Sequence, residues 1–86
     1  MKKLLNMDIK KTIKIIWGYN HRAQIVDDPN YDILMDGDKR IKVIRYNHKQ
    51  PIKLDKVDYF AIVFEIEDIF KIKWIARKDF MKWSVS

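Results

Sequence analysis

The stretch DPNYDILMDGDKRIKVIR, residues 28–45, decides how this chain folds. Apolar residues Tyr31, Ile33 and Met35 alternate before Asp36-Gly37-Asp38, and Ile41 and Val43 alternate after it. Asp-Gly between two alternating runs is a strong hairpin signal, so residues 31–35 and 39–46 are expected to be paired strands. A three-residue turn pairs Met35 with Lys39, Leu34 with Arg40, Ile33 with Ile41 and Asp32 with Lys42. Tyr31, Ile33 and Met35 then share a face with Ile41 and Val43. A two-residue turn would set Ile33 among Arg40 and Lys42 and leave both faces half polar. Because a slip of one residue carries every side chain across the sheet, burial favours the longer turn.

Upstream, Leu5, Ile9, Ile13 and Ile16 recur at spacings of four and three, one face of a helix over residues 1–17. Lys3, Lys10 and Lys14 share another face, and Gly18 supplies the stop. The β-branched run TIKIIW, residues 12–17, is also compatible with a strand. Residues 19–30 read as loop or a short strand, and Pro29 disfavours a central strand there.

Downstream, DYFAIVFEI from Asp58 predicts a third strand and FKIKWIAR, residues 70–77, a fourth, joined through Glu67-Asp68-Ile69. With three residues in that turn, Phe60, Ile62, Phe64 and Ile66 stack on the face of Phe70, Ile72, Trp74 and Ala76, and Glu65 faces Lys71. RKDFMKW, residues 77–83, is expected to form a helical turn with Phe80 and Trp83 three apart. The sum is an α+β fold over residues 1–86: an N-terminal helix on a four- or five-stranded mixed or antiparallel sheet, and a short C-terminal helical turn.

The chain has 86 residues, 48% of them hydrophobic and 13% aromatic, enough for one small domain with a core of its own. Cysteine is absent, which excludes disulfides, zinc-thiolate sites and thiol nucleophiles and fits a reducing, cytoplasmic setting. No apolar run approaches the roughly 20 residues that span a bilayer, and MKKLLNMDIKK lacks a signal-peptide core, so no membrane association is expected. Eighteen Lys and Arg against 12 Asp and Glu leave a formal charge of +6, which favours an anionic partner such as nucleic acid. The excess is even along the chain, with nine basic and six acidic residues up to Val43 and the same numbers after it. A solvated lysine-rich surface accounts for the same charge.

The order helix, loop, Asp-bearing strand, Gly turn, basic-apolar strand, then VDYFAIVF (residues 57–64) resembles the PD-(D/E)XK nuclease-like superfamily over residues 8–83. The resemblance implies a restriction-endonuclease-like fold in which this hairpin carries the active site. Tyr31-Asp32 corresponds to the first motif element, and Lys42-Val43-Ile44 falls where the superfamily has an acid, a spacer and a lysine. Metal-assisted phosphodiester cleavage needs two carboxylates around a hard cation and often a lysine near the attacking water. Here a cation replaces the second carboxylate and Ile44 replaces the lysine. Asp32 is therefore a weak catalytic candidate, expected to be neutralised by Lys42, and neither metal nor cofactor is expected. Asp8, Glu65 or Glu67 could supply a relocated ligand; the simpler readings are a helix-start acid for Asp8 and a cross-strand partner of Lys71 for Glu65.

Other chemistries find little support. Leu34 breaks the ligand spacing of a calcium loop among Asp27, Asp28, Asp32, Asp36 and Asp38. His21 and His48 sit in separate polar segments, the only serines are Ser84 and Ser86, and two isolated glycines make no phosphate-binding loop. For nucleic acid, the candidate phosphate contacts are Lys10, Lys11 and Lys14 on the helix and Arg40 and Lys42 on the hairpin. Trp17, Trp74 and Trp83 could stack bases or fill the core. The expected function is a nucleic-acid-binding module of nuclease-like fold without catalysis. One alternative is a small viral-type protein that inhibits a host restriction or CRISPR nuclease. Another is a metal-dependent endonuclease with migrated ligands. Exposed sheet edges leave a homodimer open.

Overall fold

A computed structural model describes residues 7–46 and 52–80. Helix α1 (Met7–Trp17) is followed by β1 (Gln24–Ile25), β2 (Ile33–Met35), β3 (Lys39–Arg45), a 3₁₀ turn (Leu54–Lys56), β4 (Tyr59–Ile66) and β5 (Ile69–Ala76). The five strands form one sheet in sequence order, antiparallel except for the parallel β3–β4 pair. Residues 77–80 turn into a short helix.

The helix wins over the strand alternative because it buries Ile9, Thr12, Ile13 and Ile16, the residues at helical spacing, and leaves Lys10, Lys11 and Lys14 exposed. It stops at Gly18, whose N–H donates to the Ile15 carbonyl at 3.1 Å, while the Asn20 N–H takes the Ile16 carbonyl at 2.7 Å. The first hairpin keeps the expected register for Met35 with Lys39, Leu34 with Arg40 and Ile33 with Ile41, but the ladder ends there and Tyr31, expected on the face of Ile33, packs against the opposite core. Asp36 and Gly37 both take positive φ, 56° and 78°, a conformation that Asp tolerates and Gly favours.

The parallel pair requires a crossover of about a dozen residues, and Ile52, Leu54 and Val57 from its described part pack on the sheet face that α1 leaves open. The central strands β3 and β4 are therefore buried on both sides. Against α1 lie Ile33, Ile41, Val43, Ala61 and Val63; on the opposite face Ile44, Phe60, Ile62 and Ile75 pack with Val57 and Phe80. Phe80 stacks on Phe60 with centroids 3.9 Å apart and planes 15° from parallel, so the C-terminal turn closes this second core. Trp83, its expected companion, lies outside the described residues.

The second hairpin departs from expectation. Ile66 pairs with Ile69, Glu65 with Phe70, Phe64 with Lys71 and Val63 with Ile72, one step away from the anticipated register. The turn holds only Glu67 and Asp68, at φ 52° and 65°, the left-handed pair of a type I′ connection. An all-apolar face does not set the register here because β4, covered on both sides, needs apolar residues at successive positions rather than alternate ones. Phe60 and Ile62 point away from α1, and Ala61 and Val63 toward it.

Neither Glu nor Asp is the preferred occupant of such a turn. Replacing Glu67-Asp68 by Asn-Gly is expected to raise the urea unfolding midpoint by an amount worth about 1 kcal/mol. The three-residue register predicts no gain, so the sign of the shift tests the pairing.

Candidate functional site

Asp32 immediately precedes β2 and is almost fully buried, 2% exposed. Its groups knit three segments together. The backbone N–H donates to the Ile41 carbonyl at 2.8 Å, and its carbonyl accepts from the Val26 N–H at 3.0 Å. Carboxylate Oδ2 accepts from the Val43 N–H at 2.7 Å. A β3 donor that the short β2 strand leaves behind is thus satisfied by a side chain. The ladder ends at Ile33–Ile41, and no ion pair joins Asp32 to Lys42. That corrects the expected neutralisation: the carboxylate is held by a backbone N–H. Lys42 instead pairs in register with Phe60, one residue out of phase with Ile41 and Val43, on the face away from α1.

Two of the three candidate relocated acids are also committed, while Glu67 stands exposed in the β4–β5 turn. Asp8, in the first turn of α1, holds the Arg45 guanidinium through both oxygens, Oδ2 to Nε at 2.8 Å and Oδ1 to Nη2 at 2.7 Å. Glu65 reaches the same guanidinium at 3.5 Å, rather than Lys71. The Asp8 carboxylate first, then Glu65, holds the Arg45 guanidinium above its ordinary pKa. Helix start, β3 end and β4 end are thereby tied through one cation. Among the described residues no three His, Asp or Glu side chains converge on a point that could hold a metal ion.

The five cations named from sequence separate into two groups. Lys10, Lys11 and Lys14 stand exposed along α1, and Lys11 Nζ lies 5.4 Å from the centre of the Phe70 ring on β5. Arg40 and Lys42 belong to the other face. Arg40 is clamped by Asp58, Nε to Oδ2 at 2.9 Å and Nη2 to Oδ1 at 3.1 Å, and its backbone N–H adds a third bond to Oδ2 at 2.9 Å. Both side chains are more than two-thirds covered, and the Asp58 N–H bonds back to the Arg40 carbonyl at 2.9 Å. This bidentate pair fixes where β4 starts against β3 and leaves Arg40 little capacity for a phosphate. The signal for it in sequence is Asp58 itself, an acid just before an apolar strand, with no catalytic motif around it to single it out.

A second group of residues collects at the end of the sheet where α1 stops. Tyr19, Met35, Lys39, Tyr59 and Trp74 line an open cleft of about 270 Å³. Tyr59 and Lys39 also border a neighbouring cleft of about 390 Å³ with Asp38, Asp58, Ala76, Arg77 and Lys78. Lys39 Nζ is held at 3.1 Å by Asp36, which raises the ammonium pKa. Asp36 is pushed below the ordinary carboxylate range, first by the Asn20 side-chain amide at 2.7 Å and then by Lys39. Partial burial pushes the Tyr19 phenol up. Of the three tryptophans considered for stacking, Trp74 borders the cleft, Trp17 is anchored by Nε1–H to the Ala23 carbonyl at 2.8 Å, and Trp83 lies outside the described residues.

Comparison with protein-family models, curated proteins and solved structures finds no match to this chain.

Two measurements follow from these roles. Asp32→Ala strands the Val43 N–H and is expected to lower the unfolding free energy by about 1–3 kcal/mol in urea, while Mg²⁺ leaves the parent midpoint unmoved. Stabilisation by Mg²⁺ that disappears in Asp32→Ala would instead reveal a metal ligand. The Asp58 carboxyl is held below its ordinary pKa chiefly by Arg40, so its contribution is complete at neutral pH and fades as pH falls through the lowered value. Asp58→Asn is expected to be less stable near neutrality and to lose less stability than the parent between about pH 5 and pH 2.

Proposed function

We propose that this protein is a nucleic-acid-binding module without nuclease chemistry, acting in the cytoplasm. The carrying observation is the outer face of α1, where Lys10 and Lys14 stand exposed and form no ion pair with a described residue, in a chain of net charge +6. Such ammonium groups release counterions on meeting phosphates and need no sequence-reading geometry. Two features speak against cleavage: Oδ2 of the buried Asp32 carboxylate accepts from the Val43 N–H, and Lys42 and Ile44 stand where the nuclease motif has an acid and a lysine. No helix among the described residues is long and apolar enough to cross a membrane.

A second reading, binding and inhibition of a host defence nuclease, draws on Ile66 and Ile69, which face one another at the β4–β5 tip with 50% and 57% exposure. Partner retention from a nuclease-treated host lysate, abolished by Ile69→Lys, would favour that reading.

Fluorescence anisotropy with labelled oligonucleotides at low salt tests the main one. Lys10→Ala/Lys11→Ala/Lys14→Ala is expected to weaken binding to every sequence alike, and to flatten the plot of log affinity against log salt by roughly 0.7–0.9 for each phosphate that is no longer neutralised. Plasmid incubated with Mg²⁺ or Mn²⁺ is expected to stay intact. Negligible affinity at low salt rejects nucleic-acid binding, and cleavage abolished by Asp32→Ala rejects the inactive site.

A further inference from the structure

We propose that the cleft formed by Tyr19, Tyr59 and Trp74 stacks an unpaired base, so that the ligand class is single-stranded nucleic acid; this rests on the nucleic-acid reading above. The three rings are 63%, 36% and 39% exposed, whereas Phe60 and Phe80 are 0% and 8% exposed. Isolated exposed aromatics are ordinary, but three around one open cleft form a concave apolar surface. Met35 adds an adaptable thioether to it. Every base has a π-face, and an aromatic platform accepts it without reading its edge; in a duplex those faces are occupied by neighbouring base pairs.

The surroundings suit a phosphate-bearing ligand better than an uncharged aromatic one. Tyr59 is the wall shared with the second cleft. There Lys39 is matched by Asp36 and Asp58 by Arg40, so that Arg77 and Lys78 against Asp38 leave one positive charge in excess. A base beside Trp74 would thus have its backbone phosphate within the reach of long, mobile cations.

The cleft is also continuous with the lysine face of α1. Phe70, Ile72 and Trp74 alternate along β5 on the helix side of the sheet, as shown by the pairing of Trp74 with Ala61 and of Ile72 with Val63. Lys11 sits over Phe70, four residues from Trp74, or about 13 Å along the strand. Stacking cleft and helix cations therefore lie on one face, and a single strand can run between them. Arg40 and Lys42, on the opposite face, have no part in this track.

The test is anisotropy with an oligo(dT) single strand and a duplex of equal length at low salt, with circular dichroism confirming that each variant is folded. The single strand is expected to bind about tenfold tighter than the duplex. Tyr19→Ala and Trp74→Ala are each expected to weaken single-strand binding about fivefold or more while leaving duplex binding unchanged. Trp74→Phe, which keeps a ring, retains most of the affinity and serves if Trp74→Ala fails to fold. Equal affinity for the two forms, or single-strand binding indifferent to Tyr19→Ala, overturns the stacking cleft and leaves phosphate binding by α1 standing. Absence of binding to either form overturns both.

Discussion

The parallel pairing of β3 with β4 is the constraint from which most of this structure follows. It forces the chain to cross over before β4 begins, and the crossover brings Val57, with Leu54 and Ile52 beside it, onto the face that α1 does not cover. A sheet that would otherwise be wetted on one side acquires two cores. The Arg40–Asp58 clamp stands at the start of this pairing, with three hydrogen bonds from one residue to the other's carboxylate. In a chain with two cores and no disulfide, a partly buried charge pair of this geometry specifies register more than it adds stability.

The same economy shapes the region that looked catalytic. An acid at the head of a hairpin strand is what a metal site requires, and also what a truncated β-ladder requires when its neighbour keeps an unpaired N–H. Here β2 has three residues and β3 has seven, so β3 outruns its partner. Asp32 fills the gap through Oδ2. Asp8 and Glu65 converge on Arg45, a protein cation at the junction of α1, β3 and β4. Asp32, Asp8 and Glu65 thus hold elements together. Lys10 and Lys14 of α1 and the aromatic end of the sheet remain exposed.

Much of the local structure was legible because its signals were short-range. Spacings of four and three gave α1, and Asp36-Gly37 set the first turn, where the alternation of Ile33, Ile41 and Val43 left one register that buries them together. Five strands in mixed orientation lie within what the pattern of runs allowed. Of the candidate site, the exposure of Lys10, Lys11 and Lys14 could be read from helix phase, whereas the clamping of Arg40 could not. Its partner Asp58 is distant in sequence, and nothing local distinguishes a free guanidinium from a bound one.

By itself, then, the sequence determined the helix, the first hairpin with its register, the α+β class and the excess of positive charge, all properties set by residues a few positions apart. Only the tertiary structure decided the register of β4 on β5, the division of the basic residues between two faces, the use of Asp32 as a backbone acceptor and the meeting of Tyr19, Tyr59 and Trp74. Each of these depends on which surface the crossover covers and which strand ends first. A strand buried on both sides loses the alternation from which its facing could be read.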